Sequence, residues 1–60
     1  MSELDIHNTA REMMRLHGPG ADALAWREAD KMLSVWDIDG FHAWKRIMEV
    51  IRATPLQPVR

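Results

Sequence analysis

Apolar positions recur along this chain at helical spacing, in three blocks separated by two short breaks that contain glycine. The last block is the clearest. From Ala43 the positions i, i+3, i+4 and i+7 are apolar, so Ala43, Trp44, Ile47, Val50 and Ile51 share one face, with Lys45, Glu49 and Arg52 opposite. The first block places Ile6, Ala10, Met13, Met14 and His17 on one face. Ser2 stands where an N-cap is expected, and Glu3 and Asp5 put negative charge in the first turn. The middle block carries Ala25, Ala29, Met32, Leu33 and Trp36, with Leu24 and Val35 on another side, as expected of a middle helix that touches two neighbours.

The breaks are chemically distinct. His17-Gly18-Pro19-Gly20 ends a helix with a glycine able to turn left-handed and a proline that cannot continue it. Its shortness predicts that the second helix returns antiparallel to the first. In Asp37-Ile38-Asp39-Gly40 either aspartate can cap the third helix, and Gly40 relieves crowding in its first turn. Pro55 disfavours helix at Thr54. The expected architecture is therefore all-α: a small three-helix bundle, up-down-up, with helices about 4–17, 21–36 and 39–54. Residues 1–54 form a single helical domain, and 55–60 form a short extended tail. Met13, Ala29, Met32, Leu33, Trp36, Ile47, Val50 and Ile51 are the expected centre of the core.

Composition narrows the functional classes. A hydrophobic content of 47% against 28% charged residues suits a folded chain, while 60 residues leave little interior. Eight basic and nine acidic residues give a net charge of −1, so no global field favours nucleic acid or an anionic membrane. The absence of cysteine excludes disulfides and thiolate metal sites. Charges at Glu3, Asp5, Arg11, Glu12 and Arg15 interrupt any leader-like apolar run, and no stretch approaches the ~20 apolar residues of a membrane span. A cytoplasmic protein is expected.

Candidate chemistry is sparse. The glycines before the second helix are not followed by Lys-Ser/Thr, and Asp22 would repel a phosphate. The Asp-x-Asp-Gly string fails as a calcium loop, because Phe41, His42 and Met48 occupy positions that need an oxygen ligand, a glycine and a glutamate. His7, His17 and His42 have no metal-ligand spacing. Ser2, Thr9, Ser34 and Thr54 lie outside any nucleophile-elbow pattern. No catalytic residue, metal or cofactor is expected, and the chain reads as a non-enzyme.

The aromatic residues point instead to a contact surface. Phe41, Trp44 and Met48 follow one another at i, i+3 and i+7, to one side of a stripe that already suffices for packing. They are the expected partner-binding edge of the third helix, with Trp26 beside it. The expected function is a small protein–protein interaction module, an adaptor or inhibitor of a larger cytoplasmic or phage-related assembly, its partner another protein or a second copy. The alternative is a dimeric, helix-turn-helix-like DNA-binding regulator that uses Lys45, Arg46 and Arg52. Glu49 in the middle of that face opposes phosphate, so nucleic acid is the less favoured partner.

The strings Trp26-Arg27-Glu28-Ala29-Asp30-Lys31-Met32-Leu33, Asp37-Ile38-Asp39-Gly40 and Trp44-Lys45-Arg46-Ile47 resemble a family of short bacterial helical proteins. The family's pattern is Ala-Asp-x-Met/Leu-Leu, a Gly/Asp-x-Asp-Gly turn and Trp-x-Arg-Ile, and the likeness runs from Ala10 to Ile51. It is a domain of unknown function, so the resemblance implies a small helical fold and no activity.

Overall fold

The computed structural model describes residues 2–54, which are helical with two short connections and contain no strand. Helix α1 spans Glu3–His17, a single 3-10 turn spans Gly18–Gly20, α2 spans Ala21–Ser34 and α3 spans Ile38–Ala53. The all-α expectation holds, and the helix bounds fall within two residues of those read from the sequence. The expected tail at 55–60 lies outside the described residues.

Each start and stop has a side-chain cause. Ser2 Oγ accepts from the Asp5 N–H at 3.2 Å and opens α1. Gly18 closes it at φ 60°, ψ −132°, a conformation open to glycine, with its N–H on the Met14 carbonyl. Asp37 opens α3 by accepting from the Gly40 N–H at 2.9 Å. The end of α2 departs from expectation. The helix stops at Ser34, and Trp36 adopts φ 61°. The Trp36 N–H donates to the Leu33 carbonyl at 3.0 Å and the Asp37 N–H to the Met32 carbonyl at 2.8 Å. This bond pair is a Schellman closure with tryptophan in the left-handed position that usually falls to glycine or asparagine.

That closure alters the core. Trp36, expected to continue the apolar stripe of α2, is turned out of helical phase and exposed, and Leu33 at the end of the helix is exposed as well. The buried cluster comprises Ile6 and Ala10 from α1, Ala21 and Ala25 from α2, and Ile47, Met48, Val50 and Ile51 from α3. Ala29 is also buried, while Met13 and Met32 are half-buried. Alanines on α2 leave room for close approach of α3, and this is the most extensive interface in the molecule. The α1–α3 interface is smaller and that between α1 and α2 is slight. Helix α2 touches both neighbours as expected, but its contact with α1 is slight, and α3 is the element that packs substantially against both.

The relative direction of α2 and α3 follows from specific pairs. Asp22 at the start of α2 meets Arg52 at the end of α3 at 3.2 Å, and Met32 near the end of α2 lies beside Gly40 at the start of α3. These two helices run antiparallel. Glu3 at the start of α1 meets Arg46 of α3 at 2.5 Å. No helix among the described residues is long and apolar enough to cross a membrane.

Candidate interaction surface

The role of α3 as shared support settles where its large side chains go. A helix flanked on one side needs a stripe about 100° wide, and one flanked on two sides needs more. Phe41, Trp44 and Met48 lie on that widened arc. Met48, expected on an exposed edge, is buried at 7% exposure, and Trp44 is half-buried against the same cluster. Phe41 is half-buried and meets Trp26 edge to face, with ring centroids 6.4 Å apart and planes at 63°. The four residues are thus divided. Trp26 and Phe41 come together at the α2–α3 boundary, while Trp44 and Met48 serve the interior.

The principal exposed apolar feature is at the α2–α3 corner. Leu33 (41% exposed), Val35 (69%), Trp36 (82%) and Ile38 (44%) fall within six positions. Trp26, 45% exposed, stands two turns before Leu33 on the same side of α2. Sequence reasoning missed this corner because it carried α2 through Trp36 and so counted the ring as core. The available signal was the run Val35-Trp36-Asp37. An aspartate that caps the next helix requires the previous one to have ended already.

Polar chemistry lies elsewhere. An open groove of about 420 Å³ between α1 and α3 is lined by Glu3, Ile6, Asp39, His42, Ala43 and Arg46. Its cation is engaged, since Arg46 donates to Glu3, and His7 Nε2 stands 3.4 Å from the same carboxylate. No group of three or more His, Asp or Glu side chains able to hold a metal occurs among the described residues. Of the three cations suggested for DNA contact, Arg46 is paired with Glu3 and Arg52 with Asp22. The Asp22 carboxyl is held below its ordinary pKa by the hydrogen bond from Arg52, with help from the Ala23 N–H. Compared with protein families, curated proteins and solved structures, the chain matches none.

Proposed function

We propose that this chain is a small protein–protein interaction module without catalytic activity, an adaptor or inhibitor within a larger cytoplasmic or phage-related assembly. The observation that carries this reading is the apolar α2–α3 corner. Trp36 projects there from a backbone conformation unfavourable for a bulky residue, in a position where it contributes little to packing. Strain of this kind persists where the surrounding structure over-determines it, and such positions cluster at functional sites. Aromatic rings with a polar surround are also the usual anchors of protein interfaces. The contact surface is accordingly placed at Leu33, Val35, Trp36 and Ile38, with Trp26 and Phe41 beside it. Trp44 and Met48 pack in the interior, away from that surface.

An up-down-up three-helix bundle is part of the same reading. The Asp22–Arg52 and Glu3–Arg46 pairs support it, since they set the start of α2 at the end of α3 and the start of α1 against the middle of α3. The DNA-binding alternative would require Arg46 and Arg52 to exchange their carboxylates for phosphates.

Affinity capture from the native host tests the reading, with the parent chain compared with Val35→Glu. A protein retained by the parent and lost by the variant, then rebound in purified form, is the expected result. Equal retention by both chains would remove the corner from the reading.

A further inference from the structure

The interior of this molecule is thin. Among the described residues Ile47 is the only large side chain that is completely buried, and the others at zero exposure are Ala10, Ala21, Ala25 and Ala29. Alanines bring helices close together but bury little apolar area each. Small folds compensate with disulfides, metals or association, and this sequence has no cysteine.

The corner offers what the interior lacks. The exposed parts of Trp26, Leu33, Val35, Trp36 and Ile38 amount to roughly 500–600 Å² of apolar surface, if a fully exposed large side chain presents about 150–250 Å². That is at the upper end of the largest patch a soluble monomer ordinarily leaves open. Two such patches face to face would bury roughly 1,000–1,200 Å², the size at which specific interfaces begin.

We propose that the α2–α3 corner is a two-fold self-association surface whose occupant is a second copy of this chain. The inference rests on the reading of the corner as the contact surface and specifies the partner. An isologous contact sets the same patch against itself, so each protruding Trp36 gains an apolar neighbour without any other component. Charge separates this occupant from lipid or nucleic acid. Of the charged residues next to these in the chain, Asp30, Asp37 and Asp39 outnumber Arg27 and Lys31, and Lys31 is engaged with Glu28, so the corner offers little to an anionic headgroup or a phosphate. Between two copies the same carboxylates repel only weakly at the rim. Asp37 is moreover engaged by the Gly40 N–H at the start of α3. Salt screens the remaining repulsion, so added salt maintains or tightens the dimer.

Sedimentation velocity on the full chain, from roughly 10 µM to 1 mM, reads the outcome directly, because interfaces of minimal size dissociate in that range. The parent is expected to rise from 7.0 kDa towards twice that mass. Trp36→Gly, which suits the left-handed position, and Val35→Glu should each weaken association at least tenfold, with the helical circular dichroism unchanged. Val35→Glu decides alone if Trp36→Gly loses helix. A parent that stays at monomer mass overturns the proposal, as do two variants that associate like the parent or a dimer that dissociates steeply with salt. A monomeric parent that still loses a captured partner on Val35→Glu rejects the second copy and leaves the interaction-module reading intact.

Discussion

Asp37 accepts the Gly40 N–H at 2.9 Å, and the same carboxylate fills the space that a side chain at residue 40 would need. A Cβ there would stand 2.8 Å from Asp37 Oδ2, 2.9 Å from its Cγ and 2.9 Å from Met32 Sδ. Gly40 is required by the proximity of its cap, since its φ is not positive. Asp37→Ala should cost about 1 kcal/mol for the lost cap. Gly40→Ala should cost a similar amount by displacing that cap, despite alanine's better helix propensity. The double variant should be no less stable than Asp37→Ala alone, because the collision with the cap has gone and the remaining close contact, Met32 Sδ, belongs to a flexible side chain that can move aside. Additive losses in a denaturation cycle would show that cap and glycine act independently.

The centre of the fold is Ile47. Ile47→Ala should cost about 2–5 kcal/mol. A unit of this size has roughly 3–9 kcal/mol in all, at 0.05–0.15 kcal/mol per residue, so the variant should lose a large share of its stability and melt well below the parent by circular dichroism. Met48→Glu should lose its helical signal, because it places an unpaired charge inside the cluster. A helical Met48→Glu chain would return Met48 to the surface.

Trp36 should behave oppositely to a core tryptophan. Its ring is exposed, so Trp36→Ala should leave the melting temperature of dilute protein close to the parent's. Trp36→Gly should raise it, by relief of roughly 1 kcal/mol of left-handed strain. A loss of several kcal/mol from Trp36→Ala, measured where the parent is monomeric, would mean that the ring is packed.

Acid should loosen the join between α2 and α3. The folded pKa of Asp22 is depressed, first by Arg52 and then by the Ala23 N–H. Its contribution is therefore present above the unfolded carboxylate value of about 4 and is lost as pH falls through the lower, folded value. Melting temperatures recorded downward from neutral pH should fall less steeply for Asp22→Asn than for the parent. Identical acid limbs would show that the pair carries no linkage.

The beginnings of α1 and α3 were legible because Ser2 and Asp37 are capping residues whose chemistry is local. Gly18 announced the end of α1 for the same reason. The end of α2 was not legible, because its closing position holds tryptophan where the signature residue is glycine, and the hydrophobic pattern runs through it unbroken. That one residue shifted the expected core towards Trp36 and Leu33. Met48 was misplaced for a different reason. Which helix supports both neighbours is a tertiary fact, and the breadth of the arc that α3 buries depends on it. Of the four contact residues read from the sequence, Trp26 and Phe41 do meet, while the exposed corner beyond them follows from a backbone closure that no periodicity reports.

Because α1 and α2 share so little surface, the molecule is unequal in cooperativity. Helices α2 and α3 form a hairpin of near-neighbour contacts that can assemble with little loop-closure entropy. Helix α1 joins through Ile6, Ala10 and the Glu3–Arg46 pair, and can open without dismantling the alanine-lined seam behind it. Native-state hydrogen exchange should then resolve two tiers, with the amides of α1 released at lower free energy than those at Ala25, Ala29 and Ile47. The α2–α3 corner belongs to the more persistent tier, so the surface that carries Trp36 stays formed while α1 comes and goes.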